Sequence, residues 1–257
     1  MRRLPRGVLC VGLRAVAFSA DLSEDDVRVS RGLLRRVERD LKELRRGFRD
    51  ELMYVVLGPV CGDDLAVVYV VEEGALEDVN AAVFDLFREY GGEDVMGVSE
   101  SPEGAGEGPS YAEAACPESE YQDVVVTLFD TYAAENRVAE VAEVCRRAAE
   151  GLCYDVGGGP VQEPMEIPGV GYVGPETDDP VLIATTERLD QVGPTAGAIL
   201  GAGRGAGARP VRRGAPAEVL PGTVIFSVAI VLNGNVIDGV RALEEGTGTE
   251  RWPLRYL

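Results

Sequence analysis

Residues 52–71 read LMYVVLGPVCGDDLAVVYVV, and this stretch decides the fold that we predict. Two apolar runs rich in β-branched residues, 52–57 and 65–71, flank a segment of turn-forming residues, 58–64. β-Branched and aromatic residues favour strands, whereas glycine, proline and aspartate favour turns. The stretch therefore predicts a β-hairpin.

A strand and a helix are predicted on each side of this hairpin. Upstream, residues 8–18 form an apolar run of strand length, and Ser23 is the expected N-cap of a helix with apolar residues at helical spacing. Downstream, an apolar stripe over residues 76–90 predicts a second helix that ends at Gly91, and a strand follows over 94–98. The order β-α-β-β-α-β is the split βαβ motif of ferredoxin-like folds.

The second half of the chain shows a similar alternation. After its last strand, Asn233-Gly234 would make a hairpin turn, whereas Asn235 would cap a helix, and we favour the helix. The strands are predicted over 123–129, 161–167, 181–185 and 224–232, and the helices over 138–152 and 187–200.

These patterns predict two lobes. The fold class is α+β (an α/β sandwich), with two ferredoxin-like βαββαβ lobes in tandem over residues 1–98 and 121–257. Residues 99–120 are rich in Gly, Pro, Ser and Glu and lack periodicity, so we predict a linker or a mobile loop there.

Composition excludes several classes of function. The formal net charge of −19 argues against nucleic-acid binding and against docking on an anionic membrane. The chain has no histidine, which removes histidine-dependent triads and histidine zinc sites. Lys42 is its one lysine and lies in a charged helix, which removes a P-loop. No cofactor is predicted.

The five cysteines are odd in number and show no C-x-x-C spacing. This predicts reduced thiols and a cytoplasmic protein. Cys145 lies on an apolar helical stripe and is expected to be an inert core residue. Cys61 and Cys153 lie near turns, where a reactive thiol is the alternative to a structural one.

Asp63 and Asp64 stand in the turn of the first hairpin. In palm-type nucleotide enzymes of this topology, acids at the hairpin and on the first strand hold Mg²⁺. Residues 8–18 contain no acid, so the pair lacks its partner. We predict a polar turn here and assign no metal site.

The stretch 201–213 holds four glycines and four arginines, a positive segment in a very acidic chain. Glycine lets backbone N–H groups approach an anion, and arginine binds phosphate or carboxylate through paired donors. The alternative is a flexible surface loop whose arginines pair with acids. The predicted anion-binding residues are Gly203, Arg204, Gly205, Arg209, Arg212 and Arg213.

Two further carboxylates are the candidate catalytic residues. Asp130 follows a predicted strand, and Asp155 precedes the glycines at 157–159. Carboxylates are among the few acid–base groups left to a chain without histidine. We expect Asp130 and Asp155 to meet at the end of one sheet, with capping and turn formation as their alternative roles.

Three pieces of the C-terminal half form a further pattern. They are a strand–helix unit over 124–150, CYDVGGG at 153–159, and LPG at 220–222 leading into the strand and Asn233-Gly234. These pieces resemble the distal lobe of the methanogen formylmethanofuran:tetrahydromethanopterin formyltransferase family. The resemblance implies ferredoxin-like lobes and, as an expected activity, C1 transfer without a metal. No catalytic residue is carried over.

Three hypotheses about function follow. The first is a cytoplasmic protein that binds or transforms a small anionic metabolite, nucleotide- or pterin-like, between its two lobes. The second is a C1 (formyl) transferase of methanogen-type metabolism, and the third is a non-catalytic regulatory or assembly protein with an acidic surface. A homo-oligomer is expected because such lobes pair through sheet faces or edges. The sequence leaves open whether the protein is an enzyme.

Overall fold

The first lobe is a four-stranded antiparallel sheet with two helices on one face. The computed structural model describes residues 12–22, 27–91, 94–119, 122–132, 134–218 and 220–245. The elements of this lobe are β1 (Leu13–Asp21), α1 (Arg31–Gly47), β2 (Leu52–Cys61), β3 (Asp64–Glu72), α2 (Leu76–Tyr90) and β4 (Ser110–Ala115). The strand order β2-β3-β1-β4, antiparallel throughout, is that of a ferredoxin-like βαββαβ unit.

The second lobe repeats this arrangement and adds short strands. Its elements are β5 (Asp123–Thr131), α3 (Glu135–Ala149), β6 (Asp155–Gly158), β7 (Met165–Ile167), β8 (Gly171–Val173), β9 (Val181–Thr186), α4 (Leu189–Gly205), β10 (Arg209–Pro210), β11 (Val224–Leu232), β12 (Asn235–Asp238) and α5 (Gly239–Glu244). The core order β11-β5-β9-β6 matches that of the first lobe, β10 and β12 pair with β11, and β7 and β8 form a separate hairpin. The prediction of two ferredoxin-like lobes in tandem is confirmed.

The two sheets pack face to face, and the helices cover their outer faces. Successive side chains of a strand point to opposite faces of the sheet, so each strand contributes both to the core between the sheets and to the core beneath the helices. Along β5, Val124, Val126 and Leu128 face the first sheet, whereas Val125 and Phe129 pack beneath α3 and α4. The first sheet contributes mainly alanine and valine to the interface. The result is a four-layer α/β/β/α sandwich.

Helix α1 shows how the helices are fixed. Ser30 is its N-cap and accepts a hydrogen bond from the backbone N–H of Leu33 at 3.1 Å, while Val37 and Leu41 are buried against the sheet. The predicted N-cap, Ser23, lies outside the described residues, and the helix begins at Arg31. No described helix is both long enough and apolar enough to cross a bilayer.

The hairpin at the centre of the prediction is present, with a much shorter turn. The strand β2 continues through the predicted turn residues, and only Gly62 and Asp63 connect it to β3. The register shifts between Leu57 and Val60, around Pro59. Proline has no N–H to give to a sheet, and an edge strand tolerates the resulting bulge.

The last strand of the first lobe was predicted in the wrong place. Residues 94–98 do not form a strand, and Asp94–Met96 is a 3-10 helix. The strand is β4, inside the segment 99–120 that was predicted to be a linker. Its sequence, SYAEAA, has little strand propensity, and β4 is a strand because its alanines fit closely against the opposite sheet.

Two predictions in the second lobe also need correction. The strand expected over 161–167 is reduced to β7, and β6 takes the corresponding place in the sheet. After β11, the hairpin that we did not favour is present: Asn233 and Gly234 form the turn and β12 follows. The helix then begins one strand later, where Asp238 accepts a hydrogen bond from the Arg241 N–H.

Candidate functional site

Six aspartates from both lobes lie together at one end of the interface between the sheets. Strand pairing puts Asp21 of β1 opposite Asp64 of β3. On the other sheet, the end of β5 lies beside the start of β9, since Leu128 pairs with Val181. The carboxylates at these positions and in the β2–β3 turn are those of Asp21, Asp63, Asp64, Asp130, Asp178 and Asp179, which we call the acidic cluster.

Strand alternation turns key members of the acidic cluster inward. Asp64 has the same parity along β3 as Ala66, and Asp130 has the same parity along β5 as Leu128. Ala66 and Leu128 both lie in the core between the sheets. The same packing that buries these apolar residues therefore brings carboxylates of the two lobes face to face.

Asp130 is the most informative member of the acidic cluster. It is 4% exposed, and its Oδ2 has no hydrogen-bond donor among the described residues. Burial, followed by the negative charges of Asp63, Asp178 and Asp21, raises the pKa of Asp130 to about 7. A buried carboxyl oxygen without a donor is unfavourable for folding, and such groups concentrate at functional sites.

Asp64 and Asp179 form a carboxyl pair across the interface. Asp64 is 3% exposed, and its side chain is hydrogen-bonded to that of Asp179. The Oδ1 of Asp179 is buried and has no donor among the described residues. Burial, then the charges of Asp178 and Asp130, raises the pKa of Asp179 well above its usual value. Two carboxyl groups this close need a shared proton or a cation between them.

A small cavity adjoins this pair, with a volume of about 10 Å³, which is room for one water-sized particle. The Ser110 hydroxyl donates to the carbonyl oxygen of Asp179 at 2.6 Å, and the Ser19 hydroxyl donates to the carbonyl oxygen of Leu65 at 3.1 Å. Both hydroxyl oxygens still have acceptor lone pairs. The cavity is lined by Ser19, Asp64, Gly108, Ser110, Thr177, Asp178 and Asp179.

The β2–β3 turn closes over Asp130. Gly62 has a φ of +59°, and a side chain at this position would collide with the Oδ2 of Asp130. Glycine is thus required both by the backbone and by the close approach. Cys61 beside it is fully buried, and burial followed by the charge of Asp130 raises its thiol pKa. Cys61 is therefore a structural thiol.

Asp155 does not join Asp130, so the predicted meeting of these two residues is wrong. The Oδ2 of Asp155 accepts the Ala115 N–H at 2.7 Å, and its Oδ1 accepts the Val156 N–H at 2.9 Å. Asp155 pairs with Thr185, at the end of β9 away from the acidic cluster. At ~3.3 Å per residue, Asp155 therefore lies about 20 Å along the strand from the position level with Asp130. Asp155 ties β6 to β4.

The glycine part of the predicted anion-binding segment is helical. Gly203, Arg204 and Gly205 form the last turn of α4, which extends beyond its predicted end. A side chain on Gly203 would stand 2.5 Å from the Cζ of Phe226, so glycine allows the helix to approach the sheet. Arg204 and Gly205 face solvent. This segment does not form a loop around an anion.

The arginines that follow do not converge on one point. Arg209 pairs with Glu218 at 2.5 Å, and Arg212 pairs with Glu244 at 2.7 Å. Both pairs are exposed, as expected from the alternative prediction of a surface segment whose arginines pair with acids. Arg213 alone turns inward, towards the first lobe.

Arg213 lines a larger groove at the junction of the lobes, with a volume of about 480 Å³. Its Nε donates to the carbonyl oxygen of Gly58 at 2.7 Å, and its Nη2 donates to that of Leu57 at 3.3 Å. Neither Arg213 nor Lys42 forms an ion pair with a described carboxylate. Burial lowers the pKa of Arg213, opposed by the charges of Glu38 and Asp238. The groove is lined by Glu38, Leu41, Lys42, Val55, Val56, Leu57, Arg213 and Val236.

The sequence reasoning missed most of the acidic cluster. The strand β1 ends at Asp21, three residues later than predicted, and so supplies the first-strand acid that Asp63 and Asp64 lacked. Asp178 and Asp179 were not among the candidate residues predicted from the sequence. Within the described residues, no three Asp, Glu or Cys side chains already surround one point at metal-ligand distance.

Comparison with known proteins gives a family. The family model described as "Uncharacterised conserved protein UCP005278" matches residues 14–247, which include both sheets and the acidic cluster. The chain belongs to this family.

Two relatives extend the comparison. A protein of Methanothermobacter thermautotrophicus printed as "Uncharacterized protein" is 41% identical over 240 residues, which is 91% of this chain and 96% of the relative. "Uncharacterized protein MJ1676" of Methanocaldococcus jannaschii is 36% identical over 226 residues, 87% of this chain and 93% of the relative. Both lobes are therefore shared with these family members.

Proposed function

We propose that the protein is a cytoplasmic protein that binds a small anionic metabolite, nucleotide- or pterin-like, in the groove at the junction of its lobes. One observation carries the proposal: the partly buried guanidinium of Arg213 lines a groove of ligand size and has no carboxylate partner among the described residues. A bound anion would supply that partner, and hydrogen bonds between charged groups are the stronger ones.

The lining of the groove suits a ligand with a flat apolar part and an acidic part. Its volume of about 480 Å³ falls in the usual range for small-molecule sites. Val56 and Val236, which are partly buried, offer apolar surface, while Lys42 and Arg213 are two cations beside the carboxylate of Glu38. In a chain with a net charge of −19, two cations in one groove favour an anionic ligand there over the rest of the surface.

The groove also takes residues from both lobes, as the hypothesis of a site between lobes requires. The helix α1 and the strand β2 belong to the first lobe, and Arg213 and Val236 of β12 belong to the second. A ligand there would contact both and would stabilise their docking by mass action.

The test is a thermal-shift screen with nucleotides, pterins and sugar phosphates, followed by calorimetric titration of any ligand that raises the melting temperature. Lys42→Glu should abolish the shift, because it reverses a groove charge without touching the core. Arg204→Glu is the matched control, since it makes the same charge change on the exposed end of α4 and should keep the shift. Failure of every anion to bind, or equal loss in both variants, would contradict the site. Light scattering of the same samples tests the expected homo-oligomer.

A further inference from the structure

The acidic cluster carries a second inference, which is independent of the metabolite groove and of the residues that line it. We infer that the cluster is a proton-operated latch between the two lobes: it holds their sheets together while its carboxyl groups keep protons, and it loosens as those protons leave. The docking of the lobes would then weaken as the pH rises. This is the reverse of ordinary acid denaturation, in which carboxyl groups stabilise the fold only when they are ionised.

The first argument is a hydrogen bond between two carboxyl groups of different lobes. The side chain of Asp64, on β3, is hydrogen-bonded to that of Asp179, which lies just before β9. A carboxylate has no hydrogen to donate, so this bond requires a proton on one of the two groups. The proton therefore belongs to the contact between the lobes. Its removal would leave two negative charges in the place of a hydrogen bond.

The second argument is the burial of two carboxyl oxygen atoms without a donor. The Oδ2 of Asp130 and the Oδ1 of Asp179 are buried and have no hydrogen-bond partner among the described residues. An ionised carboxyl group without a partner is far more costly to bury than a neutral one. The packing of the two sheets therefore favours the protonated form of both groups.

The third argument is that the charged neighbours of these groups are themselves acids. The titratable groups around Asp130 and Asp179 are Asp21 of β1, Cys61 of β2, Asp63 of the β2–β3 turn, Asp64 of β3 and Asp178 of the segment before β9. Glu135, at the start of α3, acts in turn on Asp178. Like charges this close disfavour one another, so each proton that leaves the cluster makes the loss of the next one harder.

The direction of the pH dependence follows from these shifts. Burial, followed by the charges of Asp63, Asp178 and Asp21, raises the pKa of Asp130 from 3.8 to about 7. Between these two values the unfolded chain has lost this proton and the folded protein still holds it, so stability falls as the pH rises and the fall ends above the folded-state pKa. The raised pKa of Asp179 acts in the same direction.

The composition of the chain makes this dependence easy to detect. The chain has no histidine, which is the side chain that ordinarily titrates between about pH 5 and pH 8. A change in stability in that range would therefore come mainly from carboxyl groups with a raised pKa. Among the described residues these are Asp123, Asp130, Asp178 and Asp179. Three of the four belong to the acidic cluster, and Asp123 lies at the other end of β5.

The experiment is urea unfolding of the full chain near pH 5.5 and near pH 8, at constant ionic strength and with EDTA present. We expect the unfolding equilibrium constant of the wild type to be at least ~10-fold larger at the higher pH, because each unit of pKa difference between the folded and unfolded chain is worth a factor of ten per proton. An unfolding constant that stays the same or becomes smaller would overturn the inference.

Variants locate the protons. Asp130→Asn, which has the shape of the protonated group, should reduce the ratio of the two unfolding constants at least ~3-fold. Asp85→Asn, on an α2 side chain that is 72% exposed, is the control and should leave the ratio within about twofold of wild type. If Asp130→Asn does not fold, Asp179→Asn takes its place, since its amide can donate to Asp64 without a shared proton. Loss of the dependence in Asp123→Asn, with none in the cluster variants, would refute the latch.

Hydrogen exchange tests whether this end of the interface is what loosens. The Gly62 N–H, beside Asp130, donates to the carbonyl oxygen of Ala215 at 3.0 Å and joins the two lobes. The Ala115 N–H also joins the lobes, at the opposite end, by donating to Asp155 at 2.7 Å. After correction for the intrinsic rate, the exchange of Gly62 should accelerate between the two pH values at least ~3-fold more than that of Ala115. Equal acceleration at both ends would refute the latch.

Discussion

Two glycines of α4, two residues apart, should respond in opposite ways to the same substitution. At Gly201, the position that a side-chain methyl would take is open, with no atom within 4 Å. At Gly203, the methyl would stand 2.5 Å from the Cζ of Phe226, a ring that is fully buried and stacks on Phe129. The pair therefore distinguishes a helix packed on the sheet from the flexible glycine loop that the sequence allowed.

The magnitudes follow from two opposing effects. Alanine is favoured over glycine inside a helix by about 0.8–1 kcal/mol, and Gly201→Ala should raise the free energy of unfolding by most of that amount. Gly203→Ala gains the same propensity but needs roughly 1 Å more room, since carbon atoms pack at about 3.5–4.0 Å. Overpacking of this kind costs about 1–3 kcal/mol. The two variants should therefore differ in stability by about 1–3 kcal/mol, with Gly203→Ala the less stable.

Urea unfolding followed by circular dichroism measures both variants against the wild type, with equal m-values as the check that the transitions are comparable. Gly203→Ala should cost less in a Phe226→Leu background than in the wild type, because the shorter side chain leaves room for the methyl. Equal stabilisation by the two alanines would refute close packing of Gly203 on Phe226. Two neutral substitutions would refute the helix itself.

Three further outcomes are expected. Asn80→Ala should lower the free energy of unfolding by about 1–3 kcal/mol in urea, because the fully buried amide bonds two tyrosine hydroxyls and the Pro168 carbonyl; an unchanged midpoint would contradict this. Glu143→Gln should lower the melting temperature at pH 7 but not near pH 2, because two arginines hold the pKa of Glu143 at about 2. A carboxyl group whose pKa is lower in the folded protein than in the unfolded chain stabilises the fold at neutral pH, and this stabilisation is lost as the pH falls to the folded-state pKa. A difference in melting temperature between variant and wild type that did not change with pH would disprove the pairing. Cys61 and Cys145 should resist a thiol reagent until the protein unfolds, because burial raises both thiol pKa values, and rapid labelling of either in the native state would contradict their placement.

Periodicity predicted the elements whose apolar pattern is long and regular. The strand β11 and the helix α2 have the bounds that their apolar residues indicated. Local composition misled where packing decides the conformation. The alanines of β4 and the glycines at the end of α4 lack the propensity for their elements, and contact with a facing sheet or with Phe226 overrides that lack.

The position of the acidic cluster depends on the register in which the strands pair, and this register cannot be predicted from the sequence of a single strand. Asp130 was selected because it follows a predicted strand, and Asp155 because it precedes the glycines at 157–159. Strand pairing places the two residues at opposite ends of the sheet. Asp21 and Asp179 come from different lobes, and only the docking of the sheets brings their ends together. The formyltransferase resemblance and the assembly-protein hypothesis stay predictions.

The contact between Arg213 and the carbonyl oxygen of Gly58 spans 155 positions of the chain. During synthesis, the first lobe must therefore wait for its partner, on the order of ten seconds at ~5–20 residues per second. Throughout that interval the edge of β2 and the alanine-rich face of its sheet have nothing to cover them. An uncovered edge invites pairing with another nascent chain. The yield of native protein should thus depend on translation speed and on crowding at the ribosome, and less on the stability of the finished molecule.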